Sequence, residues 1–143
     1  MPRTELWMTV FAGLAGGLAG VLWSGLVTTP WLTRNGGAAA GSSQVETAVH
    51  LLAGAALRGA AGAALGLLFW LGWGLIAIVG WPWYEVGALY GTLVWIASVV
   101  PALGTLSLRG HGPVQPVAAH AVEWLFTCVA IGLLCALAWH RYA

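Results

Sequence analysis

The sequence predicts an all-α integral membrane protein with four transmembrane helices in a single domain over residues 1–143. Its mean hydropathy is +0.88 and only 6% of its residues are charged, whereas soluble domains are about a quarter charged. Such sparse charge cannot cover a soluble surface, so we expect lipid to cover part of the chain. Four apolar segments also reach the roughly 20 residues that a helix needs to cross a bilayer.

The four predicted helices span about residues 6–29, 46–79, 83–105 and 117–139. The first is predicted to stop at Pro30, and its apolar run exceeds the roughly 7–15 residues of a signal-peptide core, so we interpret it as a retained helix. Tryptophan clusters near the predicted ends, where indole prefers the headgroup level. These positions are Trp7, Trp31, Trp81, Trp83 and Trp139.

The connections between the helices differ in kind. Residues 32–44 and 107–116 are predicted loops, whereas Gly80-Trp81-Pro82 leaves room only for a tight turn. With four spans, both loops lie on one side of the membrane, and the turn and both termini lie on the other. Each side carries two arginines near the helix ends, so the positive-inside rule does not decide the orientation.

The two halves of the chain show a similar order of features, which indicates two repeated helical hairpins. Gly20 lies ten residues before Pro30, and Gly91 lies ten residues before Pro101. A histidine follows each proline after 20 or 19 residues, at the start of the next helix. Two helices per half would give both halves the same orientation, as in a parallel repeat. Identity between the halves is otherwise slight, and chance similarity is the alternative.

Small residues predict where helices approach closely. GLAGGLAG, residues 13–20, contains two overlapping Gly-x3-Gly pairs, and residues 53–66 are almost all Gly or Ala. Such stripes let helix backbones come close together in lipid. We expect packing within the chain, with association between copies as the alternative.

Ionisable residues occur at helical spacing on the second and fourth helices. Glu46, His50 and Arg58 are at positions i, i+4 and i+12, and His120 and Glu123 are three apart, so each group shares a helix face. A charge in hydrocarbon normally faces the bundle interior or water and has a partner. We therefore expect Arg58 to pair with Glu123, and Glu46 to be a candidate partner for His50.

The depth of Arg58 in the membrane has two sequence-based answers. Counting about 20 residues back from the turn at residues 80–82 places the hydrocarbon over residues 60–79, and Arg58 then lies at the interface and snorkels. Aligning the second and fourth helices through His50 and His120 places it about two turns inside. The count rests on fewer assumptions, so we expect a polar cluster at one membrane face, with a buried functional site as the alternative.

These features favour a non-enzymatic membrane component, either an accessory subunit or a small-solute or proton pathway that uses this cluster. Its partners would be the bilayer and other membrane subunits or further copies of itself. The alternative is a haem b electron-transfer subunit with His50 and His120 as axial ligands. No catalytic motif or zinc spacing is present, and a net charge of +1 predicts no nucleic-acid partner. Apart from the haem alternative, we expect no cofactor or metal.

One segment resembles a known family. PWYEVGALYGTLVW, residues 82–95, resembles a Pro-Trp-Tyr-Glu stretch leading into a Gly-x-Leu-Val-Trp helix in the YagU-like small inner-membrane proteins. The resemblance covers about one helix in four. It implies a multi-helix protein of the bacterial cytoplasmic membrane and carries over no site residues.

Overall fold

Four long helices account for nearly all of the chain that the structure, a computed structural model, describes: residues 3–34, 44–76, 80–109 and 114–142. Helix α1 comprises Arg3–Trp23, a π-helical turn at Ser24–Thr28, and Thr29–Arg34. Helix α2 is Gln44–Ile76. Helix α3 comprises Trp83–Val94, a π-helical turn at Trp95–Val99, and Val100–Arg109, and α4 is Val114–Tyr142. Each of the four is long and apolar enough to cross a membrane, which confirms the all-α class at this level.

The prediction that the first helix stops at Pro30 is wrong, because α1 continues through the proline to Arg34. Proline lacks an N–H, and its ring crowds the carbonyl four residues earlier, so it normally breaks a helix. In α1 a π-helical turn precedes it, and the Thr29 N–H bonds to the Ser24 carbonyl. Such local π adjustments accommodate proline in membrane helices.

The same arrangement occurs in α3, before Pro101. A π-helical turn at Trp95–Val99 ends with the Val100 N–H bonded to the Trp95 carbonyl, and the helix then continues to Arg109. Because α4 already begins at Val114, the connection between α3 and α4 is shorter than the predicted loop 107–116. The predicted end of the second helix at residue 79, and most of the loop 32–44, fall outside the described residues.

A tight turn leads into α3 at residues 80–82, as predicted. Gly80 has φ +97°, a left-handed conformation that glycine adopts without a steric penalty. The backbone N–H groups of Glu85 and Val86 then bond to the Pro82 carbonyl at 3.0 and 3.3 Å and so begin the helix.

Glycine contacts hold α1 between α2 and α4. An added Cβ at Gly13 or Gly17 would strike the backbone of α2, and one at Gly16 or Gly20 would strike α4. The Gly-x3-Gly pairs therefore serve two interfaces, one on each side of α1, as the prediction of packing within the chain requires. Helix α3 packs on the other side of α4, where Gly87 and Gly132 meet backbone to backbone.

The hydrophobic core lies toward the end of the bundle that carries the turn at residues 80–82. Its members are Phe69, Tyr90, Ile131, Cys135 and Ala136. Here α2 and α3 meet, because the rings of Phe69 and Tyr90 pack edge to face at 5.0 Å and the tyrosine hydroxyl donates to the Leu65 carbonyl at 2.7 Å. We refer to this region as the apolar end. Cys128 and Cys135 are both buried free thiols.

Candidate functional site

An ion pair between α2 and α4 includes a fully buried carboxylate. A terminal nitrogen of Arg58, Nη2, contacts Oε1 of Glu123. The Glu123 side chain is 0% exposed and the Arg58 side chain is 15% exposed. A carboxylate removed from water in this way requires a cation beside it, since an isolated buried charge is very costly.

The guanidinium of Arg58 has two further contacts besides Glu123. Its other terminal nitrogen, Nη1, donates a hydrogen bond of 2.8 Å to the backbone carbonyl of Gly20 on α1. Its central carbon lies 5.5 Å from the ring centroid of Trp124, within the range of a cation–π interaction. Arg58 on α2 is therefore held by a backbone carbonyl on α1 and by two side chains on α4.

The helix α1 permits this arrangement because it carries glycine where the arginine crosses it. An added Cβ at Gly17 would strike the carbonyl of Arg58, and one at Gly20 would strike the side chain of Thr127. Without these two glycines, α1 could not approach both neighbouring helices at the level of the ion pair. On α4 the hydroxyl of Thr127 is itself satisfied, since it donates to the Glu123 carbonyl at 2.9 Å.

The second carboxylate oxygen of Glu123 faces a histidine. Its Oε2 lies 3.5 Å from Nδ1 of His120, one helical turn earlier, and the histidine side chain is 50% exposed. Within the described residues this oxygen accepts no hydrogen bond. The cluster therefore joins a fully buried carboxylate to an exposed titratable group on the same helix face. We refer to Arg58, His120, Glu123, Trp124 and the Gly20 carbonyl as the polar cluster.

Two of the predicted site residues lie near the start of α2. Glu46 and His50 fall in the first two turns of α2, but their side chains are outside the described residues. The predicted pairing of Glu46 with His50 therefore stays a prediction, and so does axial ligation by His50 and His120. Among the described residues, no three His, Cys, Asp or Glu side chains group together as metal ligands would.

Both charged members of the polar cluster fall inside segments with the length and composition of membrane spans. These segments are Leu51–Gly72 on α2 and Val117–Arg141 on α4. The segments follow from length and composition, so both sequence-based answers for the depth of Arg58 in the membrane stay predictions.

Three groups in or beside the polar cluster could not be found by searching the sequence for ionisable residues. The Gly20 carbonyl is a backbone group, and Trp124 resembles any other tryptophan of the chain. The third is Trp95, in the π-helical turn of α3, whose indole N–H donates to the Ala121 carbonyl of α4 at 2.9 Å.

No protein-family model, curated protein or solved structure matches the chain. The class that the fold defines is a four-helix bundle of membrane-spanning composition, and any function has to be argued from the polar cluster itself.

Proposed function

We propose that this protein is a non-enzymatic, proton-responsive component of a membrane, in which Glu123 takes up and releases a proton at one end of the bundle. Arg58 is the counter-ion that holds the ionised carboxylate, and His120 is the group that exchanges the proton with water. The role is that of an accessory subunit whose packing depends on pH.

The observation that carries the proposal is the contact between a fully buried carboxylate and a half-exposed histidine. Oε2 of Glu123 has no hydrogen-bond donor among the described residues, yet His120 Nδ1 stands 3.5 Å away with half of its side chain exposed. Ionisable residues inside membrane segments are costly and commonly mark proton relays or substrate paths. Histidine changes charge near neutral pH, which suits it to move a proton between water and a buried acid.

Protonation of Glu123 would change how α2 is held. The ion pair with Arg58 would be lost, and the arginine would keep only the Gly20 carbonyl and the Trp124 ring as the partners described above. Contact between α2 and α4 is otherwise slight, since α1 lies between them. A proton on one carboxylate would therefore loosen the link between two helices.

The surroundings of the cluster favour a response to protons over their conduction through the bundle. The ionisable side chains in described contact with Glu123 are Arg58 from α2 and His120 from α4 itself. Toward the apolar end, α4 continues with Ile131, Cys135 and Ala136, each 0% exposed. No Glu, His or Arg follows Glu123 on α4 until His140 near the far end of the helix, so α4 offers no acidic or basic side chain for a next step.

Stability measured across pH tests the proposal. The wild type, Glu123→Gln and His120→Gln are unfolded reversibly in mixed micelles at a series of pH values. Titrating groups outside the polar cluster contribute equally to the wild type and to Glu123→Gln, so the difference between their curves reports Glu123 together with the groups coupled to it. We expect the stability advantage of the wild type to vanish as pH falls far enough to protonate Glu123. A difference that stays constant from about pH 5 to pH 9 contradicts proton exchange in that range.

Conduction is tested separately in liposomes. A pathway across the membrane predicts a proton flux that falls in Glu123→Gln, whereas the accessory role predicts no flux that depends on this residue. The accessory role also predicts a larger complex after mild detergent extraction from the native membrane. A lone monomer in that extract would count against a partner subunit.

We also propose that the two hairpins arose as a repeat and that the membrane is the bacterial cytoplasmic membrane, as the YagU-like resemblance implies. The repeat is supported by the two π-helical turns, which precede Pro30 and Pro101 at equal distance. It is weakened by unequal pairing, because α1 packs closely on α4 whereas α2 and α3 share little backbone contact.

The haem b alternative keeps its own test, a Soret absorbance band in the purified protein that His120→Ala abolishes.

A further inference from the structure

A groove between α1 and α4 opens at the opposite end of the bundle from the polar cluster. It has a volume of about 400 Å³ and is lined by Ala12, Ala15, Leu134, Leu137, Ala138 and Arg141. This volume lies in the range of small-molecule sites in proteins, about 300–1,000 Å³. Five of its six lining residues are apolar, and the sixth is an arginine.

The wall on α4 is a continuous stripe that ends in the positive charge. Leu134, Leu137, Ala138 and Arg141 are at positions i, i+3, i+4 and i+7, so they share one face of the helix. Arg141 is exposed and lies in the last turn of α4, which ends at Tyr142. The opposite wall is made of two alanines, so the groove is wide where a larger side chain would close it. An apolar groove that ends in an exposed cation at the end of a helix has the polarity of a phospholipid.

We propose that this groove binds one anionic phospholipid, with an acyl chain along the stripe and the phosphate at Arg141. Charge complementarity selects this occupant, because Arg141 lines the groove and forms no ion pair within the described residues. A zwitterionic lipid would bring its own cation to the same place. Basic residues at a membrane surface attract anionic lipids, and a single arginine is expected to give about a five-fold preference.

Lipid retention by the purified full-length protein tests this site. The protein is extracted in mild detergent and titrated with phosphatidylglycerol or phosphatidylcholine of identical acyl chains, and bound lipid is counted by native mass spectrometry. We expect about five-fold tighter retention of phosphatidylglycerol by the wild type. Equal retention of the two lipids would overturn the proposal, since it would show only a general lipid coat.

Variants test whether the preference for phosphatidylglycerol arises at the groove. Arg141→Gln should remove the preference for phosphatidylglycerol, and Arg141→Lys should keep it. Ala15→Leu, which fills the groove from α1, should reduce retention of both lipids, whereas Ala64→Leu at an exposed alanine of α2 should not. Arg34→Gln is the matched control for charge, because Arg34 is also an exposed arginine at a helix end and lines none of the described grooves.

Two further outcomes would overturn the proposal. If Arg34→Gln lowers the preference as much as Arg141→Gln does, the effect is one of overall charge rather than of this groove. If inorganic phosphate displaces bound phosphatidylglycerol completely, the headgroup alone accounts for binding and the apolar stripe has no part in it. Neither result bears on Glu123, so the proton-responsive role stands or fails by its own experiment.

Discussion

The two ends of the bundle are held together by different physical means. At the apolar end, helices whose backbones touch at glycine pack around the hydrophobic core. The core consists of Phe69, Tyr90, Ile131, Cys135 and Ala136. At the other end, an arginine reaches past α1 to a buried carboxylate. The first arrangement relies on close packing alone, whereas the second adds a pair of charges to the glycine contacts at Gly17 and Gly20.

This difference indicates which end is built for stability. In lipid, helices associate through close packing of small residues, as at the apolar end. A buried ion pair is weak evidence for stability, because the cost of removing both charges from water offsets their attraction. The polar cluster is therefore the part of the bundle that stability does not explain. This is why we propose a functional role for Glu123.

The largest effect is expected where the backbones touch. Gly62→Leu should place a side chain against the Gly13 carbonyl and force α1 and α2 apart, which we expect to cost more than about 3 kcal/mol. The measurement is the free energy of unfolding in mixed micelles, together with the yield of monodisperse protein. Gly54→Leu is the control on the same helix, since nothing lies within 4 Å of a Cβ added there. Equal losses in both variants would mean that α1 and α2 do not pack through Gly62.

The ion pair should behave differently when one or both charges are removed. Arg58→Met or Glu123→Leu alone leaves a buried charge without its partner and is expected to cost about 3–5 kcal/mol. The double variant removes both charges, so we expect most of that loss to be recovered while the pH response disappears. Unfolding free energies of the four proteins in a double-mutant cycle provide the measurement. A double variant as unstable as the sum of the single variants would mean that the two charges do not interact, which contradicts the ion pair.

Removing one hydrogen bond at each end should have smaller effects, and these should be similar in size at the two ends. Tyr90→Phe removes the bond to the Leu65 carbonyl at the apolar end, and Trp95→Phe removes the bond to the Ala121 carbonyl beside the polar cluster. Each should cost about 1 kcal/mol in unfolding free energy. Only Trp95→Phe should also alter the pH dependence, because Ala121 lies two residues before Glu123. An altered pH response in Tyr90→Phe would mean that the two ends are coupled.

The sequence allows much of the architecture to be predicted, but not its irregular parts. Hydropathy and turn residues locate the four helices, and helical spacing with a common membrane side brings Arg58 to Glu123. The sequence predicts that α1 ends at Pro30, because no residue pattern indicates the π-helical turn that allows the helix to continue past the proline. The Gly20 carbonyl and Trp124 could not be assigned to the site, since their roles depend on the rotation of α1 and α4 against each other.

Infrared spectroscopy of the carboxyl groups tests the central claim most directly. The chain has four Glu and no Asp, so the protonated-carboxyl region of its spectrum is sparse. The difference between the spectra of the wild type and Glu123→Gln isolates the band of Glu123 as pH is lowered. We predict a band that appears with falling pH in the wild type and is absent in Glu123→Gln. If no band between about pH 5 and pH 9 depends on Glu123, the carboxylate is a permanent ion-pair partner and the proton-responsive role is contradicted.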